Sequence, residues 1–306
     1  MARKPAPAVS RLLLLLLLAA AFALASCRDR SPVTFGVLTD IQFAAAPASG
    51  SRYYDRSWLK LRQALEAFEG RGVRFVVHLG DLIDHDAGSY DLILPAFAHS
   101  RAPVRFVLGN HDFDVAPERQ AGLLSRLGIG CGYYAFSEGG WRFIVLNGDE
   151  LGFNFPKDEE LARESEEMFA ALTASFRPNA TKWNGGVGRD QLAFLDAELG
   201  AADRGGRPAA VFCHFPVFPP AGHNLWNDEA VVAVLEKHPS AKAYFSGHNH
   251  AGDFAVRNGV VYLSFAGVVE TPDSGAGAVV TLTRDRIVVD GFGREPDREA
   301  PLRRSP

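Results

Sequence analysis

Side chains able to bind metals or move protons fall directly behind apolar, β-rich runs of this chain. VLTDIQF ends in Asp40 and Gln42, VVHLGDLID in Asp81, and FVLGNHDF in Asn110, His111 and Asp112. Further on, VFCHF delivers His214 and FSGHNH delivers His248 and His250. On extended backbone, residues i and i+2 face the same way, whereas on a helix they diverge. Asp40 with Gln42, and His248 with His250, can therefore each aim at one place. Taken singly, a strand-end aspartate is an ordinary cap or turn former, and Asn-His-Asp after a glycine is an ordinary turn. Together, carboxylates and imidazoles at several strand ends would each cost several kcal/mol, on the order of 2–7 per group, if buried without partners. Convergence on cations removes that penalty. His78 lies inside an apolar run instead of after one and reads as a core histidine.

The elements that must position these groups are strands alternating with helices. Strand-like runs cover 33–38, 74–80, 104–109, 141–147, 209–215, 241–247, 260–267, 277–282 and 286–292. SWLKLRQALEAFEGRG places Trp58, Leu61, Leu65 and Phe68 on one helical face and stops at glycine. In NDEAVVAVLEKHP the terminus signals agree: Asn227 as N-cap, acids in the first turn, Lys237 late and Pro239 beyond. The charged run 157–170 reads as a solvated helix face. Strand–helix alternation predicts an α/β fold, and the closing strands without helices add antiparallel pairing. Active sites of open α/β sheets gather at strand ends, where these groups lie. No repeat or linker divides 31–294, which reads as one domain, and the tail 295–306 is expected to be disordered.

The ordered motifs resemble those of the calcineurin-like metallophosphoesterases, whose signature is D-x-H/Q, G-D-x-x-D, G-N-H-D/E, a lone histidine and G-H-x-H. Here it reads Asp40-x-Gln42, Gly80-Asp81-x-x-Asp84, Gly109-Asn110-His111-Asp112, His214 and Gly247-His248-x-His250. The resemblance implies a β-sandwich of two mixed sheets flanked by helices, with a dinuclear site at strand ends. It implies that Asp40, Gln42 and His250 hold one divalent cation, that Asn110, His214 and His248 hold the other, and that Asp81 bridges them. Mixed oxygen and imidazole donors suit Mn(II), with Fe(II) or Zn(II) as alternatives, better than calcium. Asp84 stands where purple acid phosphatases carry a tyrosine, which argues against a ferric site and leaves Asp84 a supporting role. Gln42 in place of the commoner histidine, with FGVLTDIQF, SRYYDRSWLKL, NGGVGRDQLAFL, LWNDEAVVAVL and GVVETPDS, resembles the Mn-dependent ADP-ribose/CDP-alcohol diphosphatases over about 33–294. That resemblance implies attack by a metal-activated hydroxide on a diphosphate, releasing a nucleoside monophosphate and a phosphorylated partner. His111 is placed near the leaving oxygen and Asp112 is expected to orient its imidazole. A phosphomonoesterase, a cyclic-nucleotide phosphodiesterase and a non-catalytic binding module remain open. For base recognition the aromatic candidates are Phe43, Tyr53, Phe153, Phe155, His223 and Trp226.

The chain has 306 residues, 47% hydrophobic and 11% aromatic, enough for a large core. Arg3, Lys4 and Arg11 precede an apolar run from Leu12 to Ala25 that is short for a membrane span, as in a secretory signal. Leu-Ala-Ser-Cys resembles the lipobox of bacterial lipoproteins, so the expectation is an exported protein anchored through lipidated Cys27, facing the periplasm or the exterior. An ordinary cleaved signal or an uncleaved anchor remains the alternative. Removing the three positive residues of segment 1–26 moves the formal net charge from −4 to −7, which excludes an electrostatic footprint for nucleic acid and leaves a small anionic substrate reached through metal ions. Cys131 and Cys213 are expected to be buried thiols, with pairing the alternative.

Overall fold

Val33, Phe35 and Val37 alternate inward along β1 (Val33–Leu38) and enter a core between two sheets, while Leu38 joins a second core beneath the helices. The computed structural model describes residues 31–303 apart from 85, 121, 131 and 155–157. The first sheet runs β12-β11-β10-β1-β2-β3, in which β1, β2 (Val76–His78) and β3 (Val104–Phe106) are mutually parallel and each of the pairs β1–β10 (Ala276–Leu282), β10–β11 (Arg286–Gly293) and β11–β12 (Arg298–Pro301) is antiparallel. The second runs β4-β5-β6-β7-β9-β8. In it β5 (Trp141–Val145), β6 (Ala209–Phe212), β7 (Ala241–Ser246) and β9 (Val260–Ser264) are parallel. Its outer strands β4 (Tyr134–Glu138) and β8 (Asp253–Arg257) are antiparallel. This is the predicted sandwich of two mixed sheets.

Aromatic packing welds the sheets together. Phe35 stacks on Phe75 with ring centroids 4.8 Å apart and meets Phe143, Phe212 and Phe245 edge-on at 5.8–5.9 Å, and each such buried ring contributes roughly 1.5–3 kcal/mol. Helix α1 (Ser57–Arg71) buries Leu61, Ala64, Leu65 and Phe68 against the outer face of the first sheet. Trp58 departs from the predicted stripe: it is 37% exposed, under the Arg62 guanidinium. Helices α2 (Ser89–Phe97) and α3 (Glu159–Ala174) follow, the latter capped by Asp158 accepting from the Leu161 amide. Helices α4 (Arg189–Arg204) and α5 (Asp228–Lys237) cover the second sheet through Leu195, Leu199, Val231 and Leu235. Asn227 flanks α5 as expected, but its side chain bonds the backbone of Val187 instead of capping.

The tail expected to be disordered from residue 295 is instead part of the fold through Arg303. β12 pairs with β11, Ala300 and Leu302 join the inter-sheet core, and buried Glu295 accepts from the Ala266 amide at 2.8 Å. Alternating Ala300 and Leu302 inside a charge-rich stretch suffices once the edge of β11 needs a partner. Cys213 is a buried free thiol, whose pKa burial pushes up to about 11. Cys131, Cys27 and segment 1–26 lie outside the described residues.

Candidate metal centre

Every predicted ligand sits within a few residues of a strand's C-terminal end, and the chain turns sharply there. Asp40, Gln42, Asp81 and His248 all adopt left-handed backbone, with φ of 50°, 42°, 58° and 64°. For residues other than glycine this costs on the order of 1–3 kcal/mol each and persists where the surroundings over-determine it. The strand-end loops approach so closely that two glycines are obligatory. A Cβ at Gly109 would lie 2.3 Å from Asp81 Oδ1, and one at Gly247 would lie 1.8 Å from Thr39 Oγ1. Asp40 Oδ2 ties the two sheets by accepting from the His248 amide at 3.0 Å and the Thr39 hydroxyl at 2.6 Å.

Two donor groups meet at Asp81. On one side, His214 Nε2 is 3.3 Å from Asp81 Oδ2 and 3.1 Å from His248 Nδ1. Donor atoms of these three buried residues all lie within 4.8 Å of one another. On the other side, Gln42 Nε2 is 3.2 Å from Asp81 Oδ2 and 3.4 Å from His250 Nε2, which is 3.2 Å from Asp40 Oδ1. Outer partners select the tautomers. His214 Nδ1 bonds the Leu79 carbonyl at 2.8 Å, His248 Nε2 bonds Asn184 Oδ1 at 3.0 Å, and His250 Nδ1 bonds Glu270 Oε1 at 2.7 Å. Each acceptor takes an N–H, so the opposite ring nitrogen of each histidine points into the site. Within Gly-His-Asn-His the two imidazoles therefore separate, His248 toward His214 and His250 toward Asp40.

The residues fit divalent cations. Asp40 Oδ1, Gln42 Oε1 and Asn110 Oδ1 are buried without a hydrogen-bond partner among the described residues, which is costly unless a cation takes them. The electrostatics agree. Burial alone would raise Asp40, yet His250 and then His214 hold it down to about 2. Burial would likewise raise Asp81, which the charges of His214 and His111 keep well below the usual range. Burial opposes charge on His214, but Asp81 and then Asp40 push it up to about 10. Two fully buried carboxylates thus call for positive charge beside them, which divalent cations would supply.

The structure exchanges the roles expected of two aspartates. Asp112 does not orient His111. Its Oδ2 accepts from the Asp81 and Gly109 amides at 3.0 and 2.9 Å, and its Oδ1 accepts from the Leu82 amide and the Tyr90 hydroxyl at 2.9 and 2.8 Å. Asp112 thereby ties the Asp81 loop to the Gly109 loop. Asp84 holds the imidazole instead, with Oδ1 3.1 Å from His111 Nδ1. The reason is geometric: from the third position of the helical turn Asn110–Phe113, Asp112 meets the amides of Gly109, Asp81 and Leu82, while the His111 ring reaches further along the loop after β2 to Asp84. Burial lowers His111, but Asp81 and Asp84 outweigh it and raise its pKa to about 9. His78 is a fully buried core histidine, as read, and burial lowers it to about 4.

Asn184, Glu270 and Trp183 escaped the sequence reading. Asn184 and Glu270 lie in NGGVGRDQLAFL and GVVETPDS, stretches that carry the resemblance without assigning either residue a role. Trp183, 43% exposed, lies with its ring centroid 5.3 Å from His248 and 5.1 Å from His223. Of the aromatic candidates, His223 borders the site at 5.6 Å from His248, whereas Trp226 is buried with its indole donating to the Thr181 carbonyl. Phe43 is buried too, and Phe155 lies outside the described residues.

A two-sheet sandwich with carboxylate, amide and imidazole donors crowded on one rim places the protein among metal-assisted phosphoester hydrolases. Residues 33–252 match the calcineurin-like phosphoesterase family, and the chain belongs to it. It is 30% identical over 312 residues to the manganese-dependent ADP-ribose/CDP-alcohol diphosphatase of Danio rerio, covering 86% of this chain and 96% of that protein. With the human protein of the same name it shares 29% over 314 residues, 87% of this chain and 91% of the other. A crystal structure of a dimetal phosphatase from Danio rerio superimposes with a TM-score of 0.80 at 29% identity, covering 88% of this chain and 99% of that one.

Proposed function

We propose that this protein is a Mn(II)-dependent diphosphatase that splits ADP-ribose or CDP-alcohol compounds into a nucleoside monophosphate and a phosphorylated partner. The observation that carries this reading is the pair of donor clusters sharing Asp81, with three buried oxygens awaiting a cation, in a chain similar to enzymes of that name over most of its length. Asp40, Gln42 and His250 would hold one ion, Asn110, His214 and His248 the other, and Asp81 both. When bound, the two ions supply Lewis acidity that activates water and offsets charge on the phosphate oxygens. The protein's own groups do the rest. Glu270, Asn184 and the Leu79 carbonyl fix which nitrogen each histidine presents. Asp84 holds Nδ1 of His111 and leaves Nε2 to face the leaving oxygen. A phosphate leaves more readily than an alkoxide, so His111 has the modest task of completing charge neutralisation.

The test is an assay of residues 28–306, stripped of metal and reloaded with Mn(II), on ADP-ribose, CDP-choline, cyclic AMP and p-nitrophenyl phosphate. Turnover of the first two is expected. Turnover confined to the last two would instead assign a phosphodiesterase or phosphomonoesterase, and none at all a binding module.

The N-terminal pattern supports export and anchoring through lipidated Cys27, facing the periplasm or the exterior. Expression in a bacterial host with radiolabelled palmitate should label the wild type and not Cys27→Ala. An unlabelled wild type of unprocessed mass would exclude the anchor.

A further inference from the structure

Lys60 of α1 is only 4% exposed, and the three protons of its ammonium group are shared among four consecutive backbone carbonyls. They are those of Val268, Val269, Glu270 and Thr271, at 2.9, 3.2, 3.0 and 2.7 Å. Carbonyl dipoles converging in this way repel one another unless a cation gathers them, and Thr271 turns its backbone to φ 62° where the run closes. Among the described residues no carboxylate is in ion-pair contact with Nζ, so the carbonyls are what the buried charge has.

The opposite side of the same short segment faces the metal centre. The amides of Val268 and Val269 donate to the carbonyls of Thr39 and Asp40 at 3.1 and 2.9 Å. The carboxylate of Glu270 accepts from His250 Nδ1 at 2.7 Å. The segment also holds the loop that precedes α1, since Tyr53 N donates to Val269 O at 2.9 Å and Thr271 N to Ser51 O at 3.1 Å. One ammonium therefore sets the course of the backbone that places both Asp40 and the partner of His250.

We infer that Lys60 is a positioning residue for the Asp40–Gln42–His250 half of the centre, acting through segment 268–271 and Glu270. This rests on the two-ion reading above. The other half, built on His214, His248 and Asn110, takes its outer ring contacts from the Leu79 carbonyl and Asn184, and Lys60 reaches it only through the His248 amide on Asp40 Oδ2. A purely structural lysine would affect both halves alike.

Lys242 supplies a matched control. It is equally buried, burial lowers its pKa to about 8 as it does for Lys60, and its ammonium donates to the Pro239 and Arg303 carbonyls at the far end of β7. The experiment is Mn(II) titration of the metal-stripped full domain by calorimetry and electron paramagnetic resonance, for wild type, Lys60→Met, Lys242→Met and Glu270→Gln. Lys60→Met should bind one ion as the wild type does and the other about 10-fold or more weakly. Glu270→Gln should weaken the same ion, and the double variant should lose less than the two losses combined. Lys242→Met should lower the melting temperature and keep both ions. Lys60→Gln gives the same readout if the methionine variant does not fold. Should the wild type bind two ions while Lys60→Met weakens both equally, or neither, the assignment of Lys60 is wrong. A wild type that binds fewer than two ions would remove the two-ion reading and this inference with it.

Discussion

Asp81→Ala is expected to lose both metal and turnover, with Mn(II) affinity down by more than about 100-fold, beyond what loss of an outer partner costs, and hydrolysis at background. Asp81 is the residue both clusters share. Its Oδ2 faces Gln42 on one side and His214 on the other, and its Oδ1 accepts from the His111 amide at 2.9 Å. Removing the carboxylate subtracts a ligand from both ions and leaves His214 without the charge that raises it. The backbone should survive, because Asp112 anchors the amides of residues 81 and 82 independently of the Asp81 side chain. Metal analysis beside a thermal melt separates these effects. A folded variant retaining two ions and a tenth of the activity would mean that Asp81 does not bridge.

His111→Ala should keep both ions while turnover falls by about 10²–10⁴-fold, the usual worth of a positioned acid or base. The separation is built into the geometry. His111 touches Asp81 through its main-chain amide, which truncation leaves in place, and its ring is held apart from the ligands by Asp84. Asp84→Asn should give part of the same loss, because the amide no longer favours the imidazolium. The deficit should shrink on an aryl ester whose leaving group needs no proton. Metal loss in His111→Ala equal to that in Asp81→Ala would show that the imidazole is a ligand.

Much of this centre was legible before any fold was known. A residue just past a strand inherits the strand's direction, so Asp40, Asp81, Asn110, His214 and the His248–His250 pair were bound to emerge from β1, β2, β3, β6 and β7. The apolar interior strands were equally plain. The three strands that were missed, β4, β8 and β12, are all outer strands carrying exposed or charged residues, which blur the alternation that marks a strand.

Linear order therefore determined which groups reach the rim and the class of chemistry they can perform, but not the i, i+2 pairing, since Asp40, Gln42 and His248 turn left-handed and the two imidazoles of Gly-His-Asn-His separate. Tertiary structure decided which group serves which. Asp84 rather than Asp112 holds His111, 27 residues away; Asn184 holds His248 across 64 residues; and Glu270, steadied by Lys60, holds His250. Strand-end direction is a local backbone property, carried by neighbouring residues and readable from them. A hydrogen bond between loops depends on how two sheets and a helix settle against one another, and no spacing along the chain encodes that.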